Sequence, residues 1–223
     1  AGNEMGAFAI NSRSGAISVA DGAAIDFETN PVFNLLIEMT DGGTPGLRDT
    51  AQVTISLNDL NEAPTAAAVN FSLDENSPNS AIVGTVAGSD GDGGANGTLS
   101  YAITAGDTDG VFAIDVNSGT ITVADATKLD FEDNNSFALS VTVTDGGTPA
   151  LADTAVVGIS LADLNEGPSL ADSTVSLAEN SPLLTPVGTM VGSDPDNGDS
   201  GTLVYAISAG NSAGAFTIDG NGG

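Results

Sequence analysis

Cysteine, histidine and tryptophan are absent from the 223 residues, and lysine and arginine together number three. Without cysteine or histidine there is no disulfide, no thiol nucleophile, no Ser-His-Asp triad, and no zinc or copper site of thiolates or imidazoles. The missing cysteine does not fix the compartment. Thirty acidic residues leave a net charge of −27. That excludes nucleic acid and anionic membrane surfaces as partners, because phosphate contacts are made by Lys and Arg. No leader and no apolar run of about 18 residues is present, so the stretch reads as an interior piece of something longer, with no membrane insertion. What the chain does have is oxygen donors for cations. Its 40% hydrophobic content also sets it apart from a disordered acidic chain.

The sequence repeats itself without gaps at a shift of 104 residues. Ala1-Gly2-Asn3 through Phe8-Ala9-Ile10 returns as Ala105-Gly106-Asp107 through Phe112-Ala113-Ile114, and again from Ala209 to Ile218. Asp26-Phe27-Glu28 falls on Asp130-Phe131-Glu132, Glu75-Asn76 on Glu179-Asn180, and Asp41-Gly42-Gly43 on Asp145-Gly146-Gly147. The acidic segment Leu57-Asn58-Asp59-Leu60-Asn61-Glu62-Ala63-Pro64 falls on Leu161-Ala162-Asp163-Leu164-Asn165-Glu166-Gly167-Pro168. Cutting at these prolines gives the later part of a repeat (1–64), a complete repeat (65–168) and the first part of another (169–223). A unit of this length can hold one small core.

Within the complete repeat the apolar period is two. Val69, Phe71 and Leu73 alternate with polar residues, as do Leu99, Tyr101 and Ile103. Two longer runs, Phe137 to Val143 and Ala155 to Leu161, flank Asp145-Gly146-Gly147-Thr148-Pro149, a hairpin signal. Adding a strand near Ile82–Val86 gives about seven strands and no amphipathic helix. The expected fold is all-β, a chain of seven-stranded Greek-key β-sandwiches of immunoglobulin-like kind joined end to end, without the Cys…Trp…Cys of a true immunoglobulin domain.

The carboxylates recur outside the alternating runs, in four places: Glu75-Asn76 after the first strand, Asp90-Gly91-Asp92 with Asn96 (and Asp194-Pro195-Asp196), Asp26-Phe27-Glu28 with its copy, and the proline-ended linkers. To the linker cluster Asp41, and its copy Asp145 by the hairpin, add a possible ligand. Asp-Gly pairs commonly do no more than make turns. Recurrence of all the clusters with so few cations nearby points instead to Ca²⁺, which takes six to eight oxygens from flexible loops. An EF-hand is excluded, because the twelfth position counted from Asp90 or Asp194 is Tyr101 or Tyr205 where a bidentate Glu is needed.

These residues resemble the cadherin repeat family, and specifically bacterial cadherin-like tandem repeats of large surface adhesins or fibres. Glu75-Asn76 is similar to the family's x-E-N, Leu129-Asp130-Phe131-Glu132 to L-D-R-E, Asp90 to Asn96 to D-x-D-x-G-x-N, and Asp163 to Pro168 to the D-x-N-D-N-x-P linker. The resemblance implies calcium at each junction. Its ligands at the first would be Asp26, Glu28, Asp59, Asn61 and Glu62, met by Asp90, Asp92, Asn96 and Asp145. At the second they would be Glu75, Asp130, Glu132, Asp163, Asn165 and Glu166, met by Asp194 and Asp196. Glu62 and Glu166 stand where the family has Asp, Ala63 and Gly167 replace its second Asn, and Ser200 stands at the position of Asn96. Two or three ions per junction are expected.

The function expected is that of a calcium-stiffened extender, extracellular and at a cell surface or secreted, with neighbouring repeats of the same chain as its partners. Two alternatives stay open. One is calcium-dependent binding of carbohydrate or a surface protein, against which the 4% aromatic content speaks. The other is a homotypic head-to-tail fibre in which the two partial repeats complete each other. An enzyme is the reading least favoured, since the paired carboxylates recur at linkers with no nucleophile constellation.

Overall fold

In the computed structural model, residues 2–196 and 201–219 are described. The first stretch holds β1 (Phe8–Ile10), β2 (Ile17–Val19), β3 (Val32–Thr40) and β4 (Arg48–Ser56). Nine strands follow: β5 (Thr65–Ala66), β6 (Val69–Asp74), β7 (Ile82–Thr85), β8 (Gly88–Ser89), β9 (Ser100–Ala105), β10 (Phe112–Ile114), β11 (Thr120–Val123), β12 (Ser136–Thr144) and β13 (Ala152–Ala162). Beyond Pro168 lie β14 (Ser169–Leu170) and β15 (Gly192–Ser193). Single 3-10 turns span Gly22–Ala24 and Ala126–Lys128, capped by the carboxylates of Asp21 and Asp125.

The middle strands make a sandwich. One sheet runs β6-β13-β12-β9, and the facing one is built from β10-β11-β7 and the short pair β5-β8. Alternation puts Leu139, Val141 and Val143 of β12, and Ala155, Val157, Ile159 and Leu161 of β13, on the inner face. There they meet Val83, Val86, Phe112, Ile121, Val123 and Leu129 from the other sheet and its loops. Two strands are split. β5 joins β8 in one sheet and the chain then crosses so that β6 runs parallel to β13, with Val69 opposite Val157. β7 and β8 are one ribbon interrupted at Val86, and within β7 the pairing with β11 shifts register at Val83, between Ile121 and Thr122 of the partner. Counting each split strand once gives the seven expected. The strand anticipated over Ile82–Val86 is therefore shorter at its end and resumes at Gly88.

Gly84 and Gly88 show why the interruption carries glycine. A Cβ on Gly84 would sit 2.3 Å from the ring of Phe71, and one on Gly88 2.9 Å from Val143. The Gly88 N–H donates to the Tyr101 hydroxyl at 3.2 Å, tying the ribbon to β9. Asp145 shapes the β12–β13 hairpin: its Oδ1 accepts from the N–H groups of Gly147 and Leu151, at 3.0 and 2.9 Å.

Residues 2–64 reproduce the later half of this architecture. β1-β2 and β3-β4 are antiparallel pairs equivalent to β10-β11 and β12-β13. Phe8 and Phe33 meet edge to face at 5.0 Å, with the same spacing as Phe112 and Phe137. Ala7, Phe8, Ala24, Phe33 and Leu35 form a smaller core of their own. Among the described residues no helix is long and apolar enough to cross a membrane.

Leu139 is fully buried between the two sheets. Leu139→Ala therefore lowers unfolding free energy by about 2–5 kcal/mol, read as a fall in Tm of about 8 °C or more in calcium buffer. An unchanged Tm would show that the sheets do not pack there.

Candidate metal centre

The strand ends bring the acidic loops to both ends of the middle sandwich. Carboxylate oxygens of Glu28, Asp59 and Asp92 lie within 4.8 Å of one another, as do those of Glu75, Glu132 and Glu166, and those of Glu132, Asp163 and Asp196. The first group joins residues on both sides of Pro64. The third joins residues on both sides of Pro168, and Glu132 links it to the second.

Hydrogen bonds set this geometry. Glu75 is 1% exposed; its Oε2 accepts from Phe131 N at 2.8 Å and its Oε1 from Leu164 N at 2.6 Å. That one side chain fixes the Asp130-Phe131-Glu132 loop against the linker. Asn76 takes the left-handed conformation at φ 56°, which Asn tolerates, and its amide donates to Glu166 Oε1 at 2.5 Å. The linker N–H groups of Glu62 and Glu166 donate forward to Asp92 Oδ2 and Asp196 Oδ2, each at 2.9 Å. At the first junction Asn61 Nδ2 also donates to Asp145 Oδ2 at 2.8 Å and to the Pro149 carbonyl at 3.2 Å. Asn165 donates instead to the Glu166 carbonyl.

The remaining expected ligands divide. Asp90 Oδ1 accepts from Asp92 N and Asp194 Oδ1 from Asp196 N, which curls both D-x-D loops. Asn96 presents its carbonyl to Gly146 N at 3.0 Å. Asp26 and Asp130 are not among the three carboxylate groups. Asp26 accepts from the N–H and hydroxyl of Thr29, and Asp130 from Asp133 N, so both brace their own turns. Ser200, and Asn197 and Gly198 of the Asp194 loop, lie outside the described residues.

The residues fit a calcium ion. Every donor is a hard oxygen, and oxygens on one calcium shell are separated by at most about twice the 2.3–2.6 Å bond, which matches the 4.8 Å grouping. Asn61 Oδ1, Asp90 Oδ2, Asp92 Oδ1, Glu132 Oε1 and Glu166 Oε2 are buried without a protein partner. A native fold rarely leaves such atoms unsatisfied; a cation at each junction would give them partners, Asn61, Asp90 and Asp92 at the first and Glu132 and Glu166 at the second.

Sequence reading missed why Asp-Gly-Gly follows β12. A Cβ on Gly147 would lie 1.7 Å from Asn61 Oδ1, and one on Gly146 2.3 Å from the Ala95 carbonyl. Both glycines give way to close backbone approach, and Gly147 does so across the junction. The repetition of Gly-Gly after Asp41 was the signal available.

An all-β Greek-key sandwich, repeated in tandem with carboxylates gathered at its ends, defines a class of tandem sandwich-repeat proteins. The chain belongs to the cadherin family: the family profile described as "Cadherin domain" matches residues 1–58 and 69–162. Protocadherin Fat 4 of Mus musculus is 35% identical over 212 residues, covering 92% of this chain and 4% of its own length. Protein dachsous of Drosophila melanogaster is 33% identical over 229 residues, covering 100% of this chain and 6% of its own. The chain thus spans a small fraction of its curated relatives. Among solved structures, the protocadherin GammaB4 extracellular domain superposes with a TM-score of 0.64 at 27% identity, covering 97% of this chain and 37% of that one. Mouse cadherin-23 EC22-24 shares the fold, with a TM-score of 0.71 at 24% identity over 98% of this chain and 70% of its own. These relatives lend no support to the expected bacterial source.

The clustered carboxyls hold their protons unequally. Partial desolvation, then Glu28, Asp92 and Asp59, raise Glu62 above the usual Glu range. Desolvation, then Glu75, Asp163 and Glu166, raise Glu132. The Asn76 bond pulls Glu166 down, yet desolvation with Glu75 and Asp196 leaves it raised. Burial pushes Asp145 up, but the N–H groups of Leu151 and Gly147 and the Asn61 amide hold it low.

A raised folded-state value means stability that is complete below the unfolded value and lost as pH rises through the folded one. In EGTA, therefore, Tm rises as pH is lowered from about 7 toward 5, and falls again in stronger acid, where the lowered Asp26, Asp41 and Asp145 take up protons. Glu132→Gln flattens the rise; a metal-free Tm that only falls from neutral pH downward contradicts the crowding. Gly147→Ala displaces Asn61 and weakens calcium binding at the first junction by about tenfold, seen by calorimetry as one weakened class of sites beside an unchanged one.

Proposed function

We propose that the chain is a calcium-stiffened extender segment of a large extracellular adhesion protein or fibre, at a cell surface or secreted. Its three units are 1–64, 65–168 and 169–223, meeting at Pro64 and Pro168. The observation that carries this is the composition of two of the three groups: Glu28 and Asp59 meet Asp92, and Glu132 and Asp163 meet Asp196, so each of these two draws on both sides of a proline. An ion held there is a strut. Asp59, Asn61 and Glu62, with Asp26 and Glu28, present oxygens from one side of the first junction; Asp90, Asp92, Asn96 and Asp145 present them from the other. At the second, Glu75, Asp130, Glu132, Asp163, Asn165 and Glu166 face Asp194 and Asp196.

Bound calcium supplies charge neutralisation and a multi-oxygen anchor. The chain's own residues do the positioning: Glu75 locks the linker to the Phe131 loop, and the Glu62 and Glu166 amides aim Asp92 and Asp196. Without the ion, like charges gathered in each group repel, and the linker backbone regains its bending freedom. Affinity falls in the range of extracellular calcium modules, about 10⁻⁴–10⁻³ M.

Family membership gives coarse support to adhesion over catalysis. The carbohydrate-binding alternative draws little from the structure, since Phe8, Phe33, Tyr101 and Phe112 are committed to the cores. The bacterial setting finds no support among the animal relatives, and the stiffening mechanism does not depend on it.

Small-angle scattering tests the reading. Calcium narrows the ensemble and changes the maximum dimension relative to EGTA, while circular dichroism of the sandwich persists. An unchanged scattering profile across the calcium titration contradicts the strut.

A further inference from the structure

The loop that carries Asp90 and Asp92 continues into Asn96-Gly97, and three contacts hold the turn around that pair. Thr98 N donates to the Ala95 carbonyl at 3.2 Å, and the Thr98 hydroxyl donates to the Gly94 carbonyl at 3.1 Å. The Asn96 carbonyl accepts from Gly146 N at 3.0 Å. Between these anchors the Asn96 side-chain amide and the Gly97 N–H have no hydrogen-bond partner among the described residues. Both residues are half-buried, with exposed Ala95 and Thr98 on either side, so water reaches them.

Packing requires the glycine. A Cβ at position 97 would lie 2.0 Å from the carbonyl oxygen of Asp92, whose side chain is itself held by the Glu62 N–H. The next repeat keeps this glycine as Gly201 but places Ser200 before it. An asparagine followed by glycine presents its Cγ amide to a backbone nitrogen that no side chain shields. Gly97 N, on losing its proton to water, can attack Asn96 Cγ; the Cγ–Nδ2 bond breaks, ammonia leaves, and a five-membered imide remains. Water then opens one of the two imide bonds. Opening at Cγ leaves aspartate at position 96, and opening at the α-carbonyl leaves isoaspartate, with the backbone routed through the side chain. The net change consumes one water and releases one ammonia. The Gly146 N–H favours this course, because a hydrogen bond to the Asn96 carbonyl draws charge onto that oxygen. It thereby makes the Gly97 N–H more acidic and the α-carbonyl more open to water.

Other asparagines followed by a small residue are guarded by the bonds that Asn96 lacks. Asn79 Oδ1 accepts from Ala126 N at 2.7 Å, and Ser80 N after it donates to the Val123 carbonyl at 2.8 Å. Ser118 N, after Asn117, donates to Asp115 Oδ1 at 2.8 Å. Asn11 Oδ1 accepts from the N–H groups of Arg13 and Ser14, each at 3.0 Å. Gly146, which follows Asp145, has its N–H engaged on Asn96 itself. The pairs Asn197-Gly198 and Asn221-Gly222 lie outside the described residues.

We propose that Asn96 is a site of spontaneous deamidation and isomerisation, with isoaspartate as the main product, and that this change ages the first junction. The isoaspartyl link lengthens the backbone by one atom within the loop that holds Asp90 and Asp92. It also moves the position 96 carbonyl away from Gly146, which packs against the Ala95 carbonyl so closely that a Cβ on it would lie 2.3 Å away. The loop and the Asp145 hairpin then lose their common register, and the carboxylates they carry no longer converge as before. Calcium affinity at the first junction falls with age. That loss rests on the calcium reading of the junctions; the rearrangement of Asn96 does not.

The test holds the full 223-residue chain folded in mildly alkaline EGTA buffer and samples it over weeks. Peptide mapping by mass spectrometry follows the conversion of amide to acid, and an isoaspartyl methyltransferase marks isoaspartate. Asn96 converts about tenfold faster than Asn79 or Asn117, the factor one protecting hydrogen bond supplies. Asn96→Gln stops conversion at that position, since the longer side chain would have to close a six-membered ring. Calorimetry then compares aged and fresh samples of each protein. The unsubstituted chain loses about tenfold in calcium affinity at one class of sites, beyond any change in Asn96→Gln, which ages equally at Asn197 and Asn221. Conversion at Asn96 no faster than at Asn79 or Asn117 overturns the proposal. Conversion with calcium affinity unchanged overturns its effect on the junction. A fresh chain that takes up no calcium overturns the junction reading and leaves the rearrangement standing.

Discussion

Everything at the junctions depends on backbone amides aimed at carboxylates that have no cationic side chain to meet. The Glu62 and Glu166 amides each reach a carboxylate thirty positions downstream, in the next unit. Glu75 gathers two further amides from the loop and the linker. Those contacts hold the carboxylates together before any ion arrives. They also create the problem the ion solves, because clustered anions repel and buried oxygens lack partners. In the calcium reading proposed above, a divalent cation resolves both.

The sandwich makes this arrangement affordable. Its inner layers are aliphatic and tightly alternated, so stability is supplied by burial in the middle of each unit and the ends are free to carry charge. The same division explains the glycines. At Gly84 and Gly88 they admit Phe71 and Val143 under the interrupted strand. At Gly147 one admits Asn61 across the junction. Packing and metal centre thus meet at the loop after β12, where Asp145 both shapes the hairpin and receives Asn61.

Strand positions were legible in the sequence because alternation with period two reports directly on a half-buried sheet. Residues such as Leu139 and Val157 could be placed in the core from their neighbours alone. Pairing was not legible. Nothing in the period says that β6 runs parallel to β13, or that β5 changes sheets, because both follow from the closing of two layers and not from local pattern. The clustering of the candidate metal centre was legible in part. Recurrence singled out Glu28, Asp59, Asp92, Glu132, Asp163 and Asp196, which the fold brings together. It did not show that Asp26 and Asp130, two residues before Glu28 and Glu132, also brace the turns of their own loops.

The most direct measurement is a crystal structure of the chain grown in calcium, with ions located by anomalous scattering. The account predicts ions between Glu28, Asp59 and Asp92 near Pro64, and between Glu132, Asp163 and Asp196 near Pro168, each bound by residues from both sides of its proline. No ion spanning either proline at saturating calcium, every bound ion being held within one unit, would contradict it.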